Sequence, residues 1–289
     1  MISIIICLNQ KSKKRKLDSN FNMNFDTLVS LENSFSDILF IEKNHKYTIA
    51  GEPAKMSVSQ LIKNYEKPFE SQKAASFVAQ RDGFSVEEIL NQWEFAKDYS
   101  CHKGSEFHKY VENYFNRKQT SLDRDSINLF FNKRKEFKSD NSIEKYYTEV
   151  AKLIKNFISF YNWWKQEHIL IKSEFVIGDK ETGICGSVDN LSYNFITKEL
   201  VMFDYKTNKE IKRKNPRKET LLKELKHLPQ CEYSKYSLQL SLYSAIIEKI
   251  TEYKVPKSYI VWVNGENDYE LIECLDLKKE SNMILDNCK

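Results

Sequence analysis

An apolar run at residues 200–203 ends in the triplet Asp204-Tyr205-Lys206. We expect this run to be a strand, in which residues two apart point to the same side, so Asp204 and Lys206 would face one site. A carboxylate can hold a hard divalent cation. A nearby ammonium can orient or help deprotonate an attacking water and offset phosphate charge. The pair therefore suits phosphodiester hydrolysis, although a surface ion pair at a strand end has the same spacing.

A second acid, Asp189, closes the segment GICGSVD at residues 183–189 and precedes Asp204 by fifteen residues. Two glycines in a strand permit a bulge or the close approach of another backbone. If a short antiparallel turn joins the two strands, Asp189 lies beside Asp204. Two neighbouring carboxylates then need a cation between them, or one must bind a proton. Taken alone, Asp189 also fits a turn acid near Asn190.

Two helical segments carry polar pairs four residues apart, which places each pair on one helix face. His108 and Glu112 lie in the segment GSEFHKYVE at residues 104–112. An imidazole suits transition metals and tolerates Mg²⁺ or Mn²⁺ when carboxylates dominate. Gln239 and Tyr243 can hydrogen-bond to phosphate or to a metal-bound water. The structural alternatives are an exposed His–Glu contact and a helix whose main role is core packing.

The pattern of apolar residues predicts a mixed α/β domain whose helices precede its sheet. A capping box at Ser85 and Glu88 starts one helix. Helices are also predicted at 57–65, 103–115, 143–167 and 237–254. Strands are predicted in a hairpin at 38–42 and 46–50, in an antiparallel meander at 170–178, 184–193 and 199–206, and at 258–263 and 269–275. These elements divide the chain into a flexible lead-in at 1–36, an N-terminal hairpin and helical lobe at 37–100, and a core at 101–289.

In order, the chain contains GxxxHxxxE, Glu174, GxxGxxD, DxK and QxxxY over roughly residues 100 to 265. This ordered set resembles the RecB-like branch of the PD-(D/E)XK nuclease superfamily, which includes many phage exonucleases. The resemblance implies a restriction-endonuclease-like α+β core, with a central four-stranded mixed sheet flanked by helices, and a helical N-terminal lobe. Val188 stands where the superfamily motif has proline, and the RecB-like branch usually lacks that proline too.

The resemblance also implies residue roles. His108, Asp189 and Asp204 would bind metal together with the main-chain carbonyl of Tyr205, and Lys206 would be the catalytic lysine. Glu174 would be a supporting acid, and Glu112 would be an additional ligand. Gln239 and Tyr243 would position the scissile strand or the metal-bound water. The cofactor would be Mg²⁺ or Mn²⁺, as one or two ions. No iron–sulfur cluster is expected, because the cysteines that hold it in some relatives are missing.

The net charge of +4, from 45 basic and 41 acidic residues, excludes a general polycation. Contacts with nucleic acid must therefore come from local basic patches. Basic residues directly follow the predicted active strand, and we expect them to contact DNA, although a solvated mobile loop has the same composition. They are Lys209, Lys212, Arg213, Lys214, Arg217 and Lys218.

Six scattered cysteines without a CxxC pair favour reduced thiols in an intracellular protein, either cytoplasmic or, in a eukaryotic host, nuclear. The apolar residues 1–8 are too few to span a bilayer, and no signal peptide or membrane partner is expected. The basic run at 11–16 fits a solvated tail better than a nuclear address or a nucleic-acid arm.

The sequence thus predicts a Mg²⁺- or Mn²⁺-dependent deoxyribonuclease, an exonuclease or end-processing enzyme in DNA recombination, repair or viral genome processing. Its partner would be single- or double-stranded DNA with an end, with no helicase or recombination partner identified. The alternatives are an endonuclease on the same scaffold and a nucleic-acid-binding module that has lost catalysis.

Overall fold

The computed structural model describes residues 25–42 and 46–289. The helices are α1 (Phe25–Asn33), α2 (Val58–Lys63), α3 (Ser71–Asp82), α4 (Val86–Phe115), α5 (Arg124–Lys133), α6 (Asp140–Trp164), α7 (Glu232–Ile250) and α8 (Lys278–Asp286). The strands are β1 (Ile38–Ile41), β2 (Lys46–Ile49), β3 (Glu52–Pro53), β4 (Met56–Ser57), β5 (His168–Asp179), β6 (Ile184–Asn194), β7 (Glu199–Lys206), β8 (Lys257–Trp262) and β9 (Glu270–Glu273).

The main sheet is mixed, as the sequence predicts. Its strand order is β4-β6-β7-β8-β9, and β5 also pairs with β6. Strands β5, β6 and β7 form the expected antiparallel meander, whereas β8 runs parallel to β7 after the chain crosses over through α7. The predicted four strands correspond to β5 through β8. The short strands β4 and β9 extend the sheet to six.

Helices cover both faces of this sheet. On one face, α7 packs with α1 and α2 over the meander, in an apolar cluster that includes Leu238, Leu242 and Ile246. On the other face, α4 and α6 contribute aromatic side chains that pack against β7 and β8. Phe157 of α6 lies at the centre of this second cluster, with its ring 6.3 Å from that of Phe107 and 5.9 Å from that of Tyr205. The aromatic packing therefore holds α4 against the strand that carries Asp204 and Lys206.

Helix α4 is one continuous helix of 30 residues, where the sequence suggested two helices separated near residue 103. Its predicted capping box is present, since Ser85 accepts from Glu88 N at 3.1 Å and Glu88 from Ser85 N at 2.7 Å. Gly104 does not end the helix, because no αL turn or proline follows it and hydrogen bonding continues through it. The predicted domain boundary at residue 101 therefore falls inside a helix.

The N-terminal part of the chain also joins the main core. Helix α1 occupies residues predicted to be a flexible lead-in, and Leu31 and Phe35 are buried. The ring of Phe35 packs edge-on against Phe175 of β5 at 5.6 Å. Part of the predicted flexible lead-in at 1–36 is therefore helical and packs on the main core through Leu31 and Phe35. Residues 1–24, which contain the apolar run at 1–8 and the basic run at 11–16, lie outside the described residues.

Other elements agree with the sequence to different degrees. The hairpin of β1 and β2 and the short helix α2 are confirmed, and Ser57 with Gln60 caps α2. Helices α3, α5 and α8 were not predicted, because their apolar faces are narrow. In α3 only Ala75 and Ala79 are buried.

Among residues 25–42 and 46–289, no helix combines the length and apolar character needed to cross a bilayer.

We expect Phe157→Ala to lower the free energy of unfolding by about 3–5 kcal/mol, because truncating a fully buried aromatic ring leaves a cavity. The matched control is Phe77→Ala on α3, where the ring is 68% exposed and the change should stay within about 0.5 kcal/mol. Urea unfolding monitored by circular dichroism measures both. Equal losses in the two variants would show that the cluster around Phe157 is not a main source of stability.

Candidate metal centre and active site

The site forms where β6 and β7 part. Their last backbone pair is Asn190 with Phe203, so the strands no longer bond to each other at Asp189. At this position the Asp189 side chain replaces the β6 backbone as the hydrogen-bond partner of β7. Its Oδ2 accepts a hydrogen bond from Tyr205 N at 2.8 Å. The carboxylate thereby satisfies a main-chain donor at the strand opening and is held in one orientation. This contact places Asp189 next to the triplet that contains Asp204 and Lys206.

His108 of α4 reaches the same opening from the other side. Its Nε2 lies 3.1 Å from the Tyr205 carbonyl oxygen, and its Nδ1 lies 3.5 Å from Asp189 Oδ2 and 3.9 Å from Glu174 Oε1. The imidazole donates from Nε2 to the carbonyl, and its protonated Nδ1 faces the two acids; loss of that proton would free the Nδ1 lone pair for a metal. The Tyr205 carbonyl, expected from the resemblance to be a metal ligand, is here an acceptor for His108.

Glu174 of β5 sits in an unusual backbone conformation for a strand residue. Its φ is +49°, in the left-handed region, and the pairing of β5 with β6 shifts register between Leu170 and Lys172. Its Oε2 accepts a hydrogen bond from Ser187 Oγ at 3.0 Å. A side chain other than glycine at positive φ is strained, and such strain is commonly found at functional sites. The conformation aims Glu174 at His108 and Asp189.

Ligand atoms of His108, Glu174 and Asp189 all lie within 4.8 Å of one another. One imidazole nitrogen with two carboxylate oxygens is a suitable donor set for a hard divalent cation such as Mg²⁺ or Mn²⁺. Burial alone would lower the pKa of His108, but the charges of Asp189 and Glu174 outweigh it and raise the pKa to about 9. Burial raises the pKa of Asp189, and His108 partly offsets that rise. The cluster therefore holds excess negative charge that a cation would neutralise.

Asp204 and Lys206 form a buried ion pair beside this cluster. The Asp204 side chain is only 2% exposed, and burial raises its pKa to about 6 although Lys206 opposes the rise. Burial alone would lower the pKa of Lys206, but Asp204 and Asp189 raise it above the ordinary value. Lys206 Nζ also lies 4.7 Å from the centre of the Tyr236 ring. The lysine thus remains charged in this arrangement. Asp204 is ion-paired with this lysine and does not belong to the cluster of His108, Glu174 and Asp189.

Gln239 and Tyr243 face the sheet from α7. Gln239 Nε2 donates to Tyr243 OH at 3.1 Å, and burial raises the pKa of that hydroxyl well above its usual range. The Tyr243 ring packs on Gly186 of β6 so closely that an added Cβ there would lie 2.4 Å from Tyr243 Cε1. The second glycine of the GxxGxxD segment therefore allows an aromatic ring to approach the strand that carries Asp189.

The remaining predicted residues lie outside the cluster. Glu112 follows His108 by one turn, and burial and then the charge of Glu174 raise its pKa, but it is not one of the three clustered ligands. The six basic residues at 209–218 lie in an exposed segment after β7. Within it, Arg213 stacks on Tyr233 at 4.7 Å, and Asn215 accepts from Arg217 N at 2.8 Å.

Three neighbours of the site were not singled out in the sequence. Ser187 precedes Asp189 by two positions, and that alternation could have identified it. Tyr236, whose hydroxyl donates to Asn208 Oδ1 at 2.9 Å, lies one turn before Gln239 and could have been found from that spacing. Tyr47 comes from the distant hairpin, and burial together with Glu174 raises its pKa to about 12. No local pattern points from Tyr47 to this site.

The chain matches no protein-family model and no curated protein. Among solved structures it is similar to a protein from Eubacterium rectale described as a candidate exonuclease, at 15% sequence identity. The match covers 70% of this chain and 69% of that one, with a TM-score of 0.35. A likeness this distant assigns no function to the chain, so a function has to be argued from the geometry of the site.

We expect Glu174→Gly to be more stable than Glu174→Ala by about 1 kcal/mol, because glycine adopts positive φ without strain. Both variants lose the carboxylate, so their difference isolates the backbone. The same pair of substitutions at Lys172, a β5 residue without positive φ, should favour alanine. Chemical denaturation measures the four free energies of unfolding. A Glu174→Ala variant as stable as the glycine variant would contradict strain at this residue.

Proposed function

We propose that this protein is a metal-dependent nuclease that hydrolyses phosphodiester bonds in DNA. The observation that carries the proposal is the convergence of His108, Glu174 and Asp189 into a cation-sized cluster, directly beside the buried pair of Asp204 and Lys206. Residues from one helix and three strands meet there although they are far apart in sequence. An ordinary surface ion pair does not require a histidine and two further acids beside it.

The charges of these residues fit a divalent cation. Once His108 has lost its proton to act as a ligand, three carboxylates and one ammonium leave a net charge of −2 in a confined site. Taking such charges out of water is costly unless an opposite charge compensates them. When bound, Mg²⁺ or Mn²⁺ would supply Lewis-acid polarisation of a phosphoryl oxygen and acidify a water. His108, Glu174 and Asp189 are the residues that would hold one ion, with Asp204 available to a second.

The protein's own residues have separate roles in this proposal. Lys206 stays protonated beside Asp204, so its ammonium would orient the attacking water and stabilise charge that develops on the phosphate. Asp189 accepts from Tyr205 N, and the Tyr205 carbonyl faces His108 Nε2, so the β7 backbone positions both proposed ligands. Gln239 and Tyr243 would position the strand or the bound water from α7, and Glu112 would be an additional ligand.

The finer proposal is an exonuclease or end-processing enzyme in recombination, repair or viral genome processing, acting on DNA that has an end. Linear and covalently closed circular DNA, incubated with Mn²⁺ or Mg²⁺ and with chelator, distinguish the possibilities. Loss of linear DNA alone indicates an exonuclease, and cutting of closed circles indicates an endonuclease. Binding without cleavage in either metal would reject the nuclease proposal in favour of a binding module.

We expect Lys206→Ala to reduce DNA cleavage by at least about 100-fold, because it removes the charge that faces the phosphate. DNA affinity, measured in Ca²⁺, should change little. Lys279→Ala is the control, since Lys279 is an exposed lysine on α8. Circular dichroism verifies that each variant is folded. Near-normal turnover in folded Lys206→Ala would remove this lysine from the mechanism.

Binding of Mn²⁺ should release about one proton at pH 7.5, because a His108 with a pKa of about 9 must lose its proton to become a ligand. Apparent affinity should therefore rise about tenfold per pH unit from pH 7 and level off above pH 9. Calorimetry in buffers of different ionisation enthalpy measures the released proton. Asp189→Asn should weaken binding by at least about tenfold. Unchanged Mn²⁺ affinity in Asp189→Asn would place the ion elsewhere.

A further inference from the structure

A groove of about 940 Å³ runs beside the proposed active site, between α4, α6 and the segment after β7. Residues 207–209 line one side of it and directly follow Lys206. Helix α4 lines another side through Tyr99 and Lys103, and the same helix carries His108. Gly104 of α4 brings the helix close to this loop, since a Cβ there would lie 3.5 Å from Thr207 Oγ1. Two walls of the groove are therefore formed by chain segments that carry site residues, with Lys206 directly before residue 207 and His108 five residues after Lys103.

The charge of the groove is positive. Four lysines line it, against Glu149 and Glu266. Those lysines are Lys103, Lys145, Lys152 and Lys209. Glu149 is shared by two of them, with Lys103 Nζ at 2.7 Å and Lys145 Nζ at 3.9 Å.

Two of the lysines keep an uncompensated charge. Within residues 25–42 and 46–289, neither Lys152 nor Lys209 has a carboxylate within ion-pair distance, and both are exposed. Lys145 and Lys152 are seven residues apart on α6, so they lie two turns apart on one face of the helix. This row of ammonium groups is suited to an extended polyanion.

Aromatic rings lie between these charges. Phe95 and Phe137 line the groove with their rings stacked 4.0 Å apart at an interplanar angle of 12°. Tyr99, one turn after Phe95, is also part of the lining and donates from its hydroxyl to Glu149 at 3.3 Å. All three are partly exposed. Basic groups interleaved with partly exposed rings are typical of sites for unpaired nucleotides, since bases within a duplex already stack on one another.

We propose that this groove binds single-stranded nucleic acid and leads it to the catalytic centre. The lysines contact the phosphates, and the exposed parts of the Phe95, Phe137 and Tyr99 rings contact the bases. The inference rests on the proposed function, because it makes the bound strand the substrate of the same site. It also adds Lys145 and Lys152 to the basic residues at 209–218 that the sequence indicated.

The test is fluorescence anisotropy of the full chain with a labelled oligodeoxythymidine of about 12 nucleotides, in Ca²⁺ so that binding is read without cleavage. A blunt hairpin duplex of equal phosphate number is the second probe. The variant is Lys145→Ala/Lys152→Ala, and the matched control is Lys63→Ala/Lys279→Ala, which removes two exposed lysines outside the groove. All four side chains are exposed, so both variants should fold.

Wild type should bind the oligodeoxythymidine more tightly than the duplex. The groove variant should lose roughly tenfold in affinity, and its salt slope should fall by about 1.4, since each single-strand phosphate contact contributes about 0.7. The control variant should keep both the wild-type affinity and the wild-type salt slope. A groove variant that binds as the control does, or a duplex that binds as tightly as the single strand, overturns the inference.

A separate cleavage measurement keeps this inference apart from the proposed function. Cleavage by wild type together with unaltered binding by the groove variant rejects the groove and leaves the nuclease. Loss of binding in the groove variant, together with absent cleavage in wild type, supports the groove and rejects the nuclease.

Discussion

The structure depends on holding three acids of like charge together in a confined site. Burial penalises each carboxylate and their mutual repulsion adds to the penalty, so each needs a compensating partner. Asp189 accepts a hydrogen bond from the Tyr205 N–H, and Glu174 accepts one from the Ser187 hydroxyl. Asp204 forms an ion pair with the Lys206 ammonium. These contacts are incomplete compensation, which is why the pKa of His108 rises so far. A cation would complete it.

The rest of the fold provides the rigid support that this arrangement requires. Two acids come from the adjacent strands β5 and β6, and the third lies near the end of β7, which pairs with β6 up to Phe203 and with β8 through Lys206. His108 comes from a helix that aromatic packing, centred on Phe157, holds against β7. On the opposite face, the contact between Gly186 and Tyr243 keeps α7 close to β6. Stability and site geometry thus rest on the same contacts.

Much of this arrangement could be predicted from the sequence, because strand alternation and helical spacing are local. The DxK triplet, the meander and the approach of Asp189 to Asp204 follow from such patterns, whereas the grouping of His108 with these acids is what the resemblance implies. What could not be predicted depends on tertiary contacts. The positive φ of Glu174 and the approach of Tyr47 from the hairpin are set by packing. The order of residues 25–36 likewise depends on Leu31 and Phe35 entering a distant core.

The continuity of α4 links two parts of the molecule that the sequence suggested were separate. Tyr99 in the groove and His108 at the metal cluster are nine residues apart, or about 13.5 Å along one helix axis. The continuous hydrogen bonding of α4 couples these two residues, and the His108 contact with the Tyr205 carbonyl holds the helix against β7. A strand bound in the groove is therefore held at a set distance from the site. Its position is determined by the same helix that supplies the histidine.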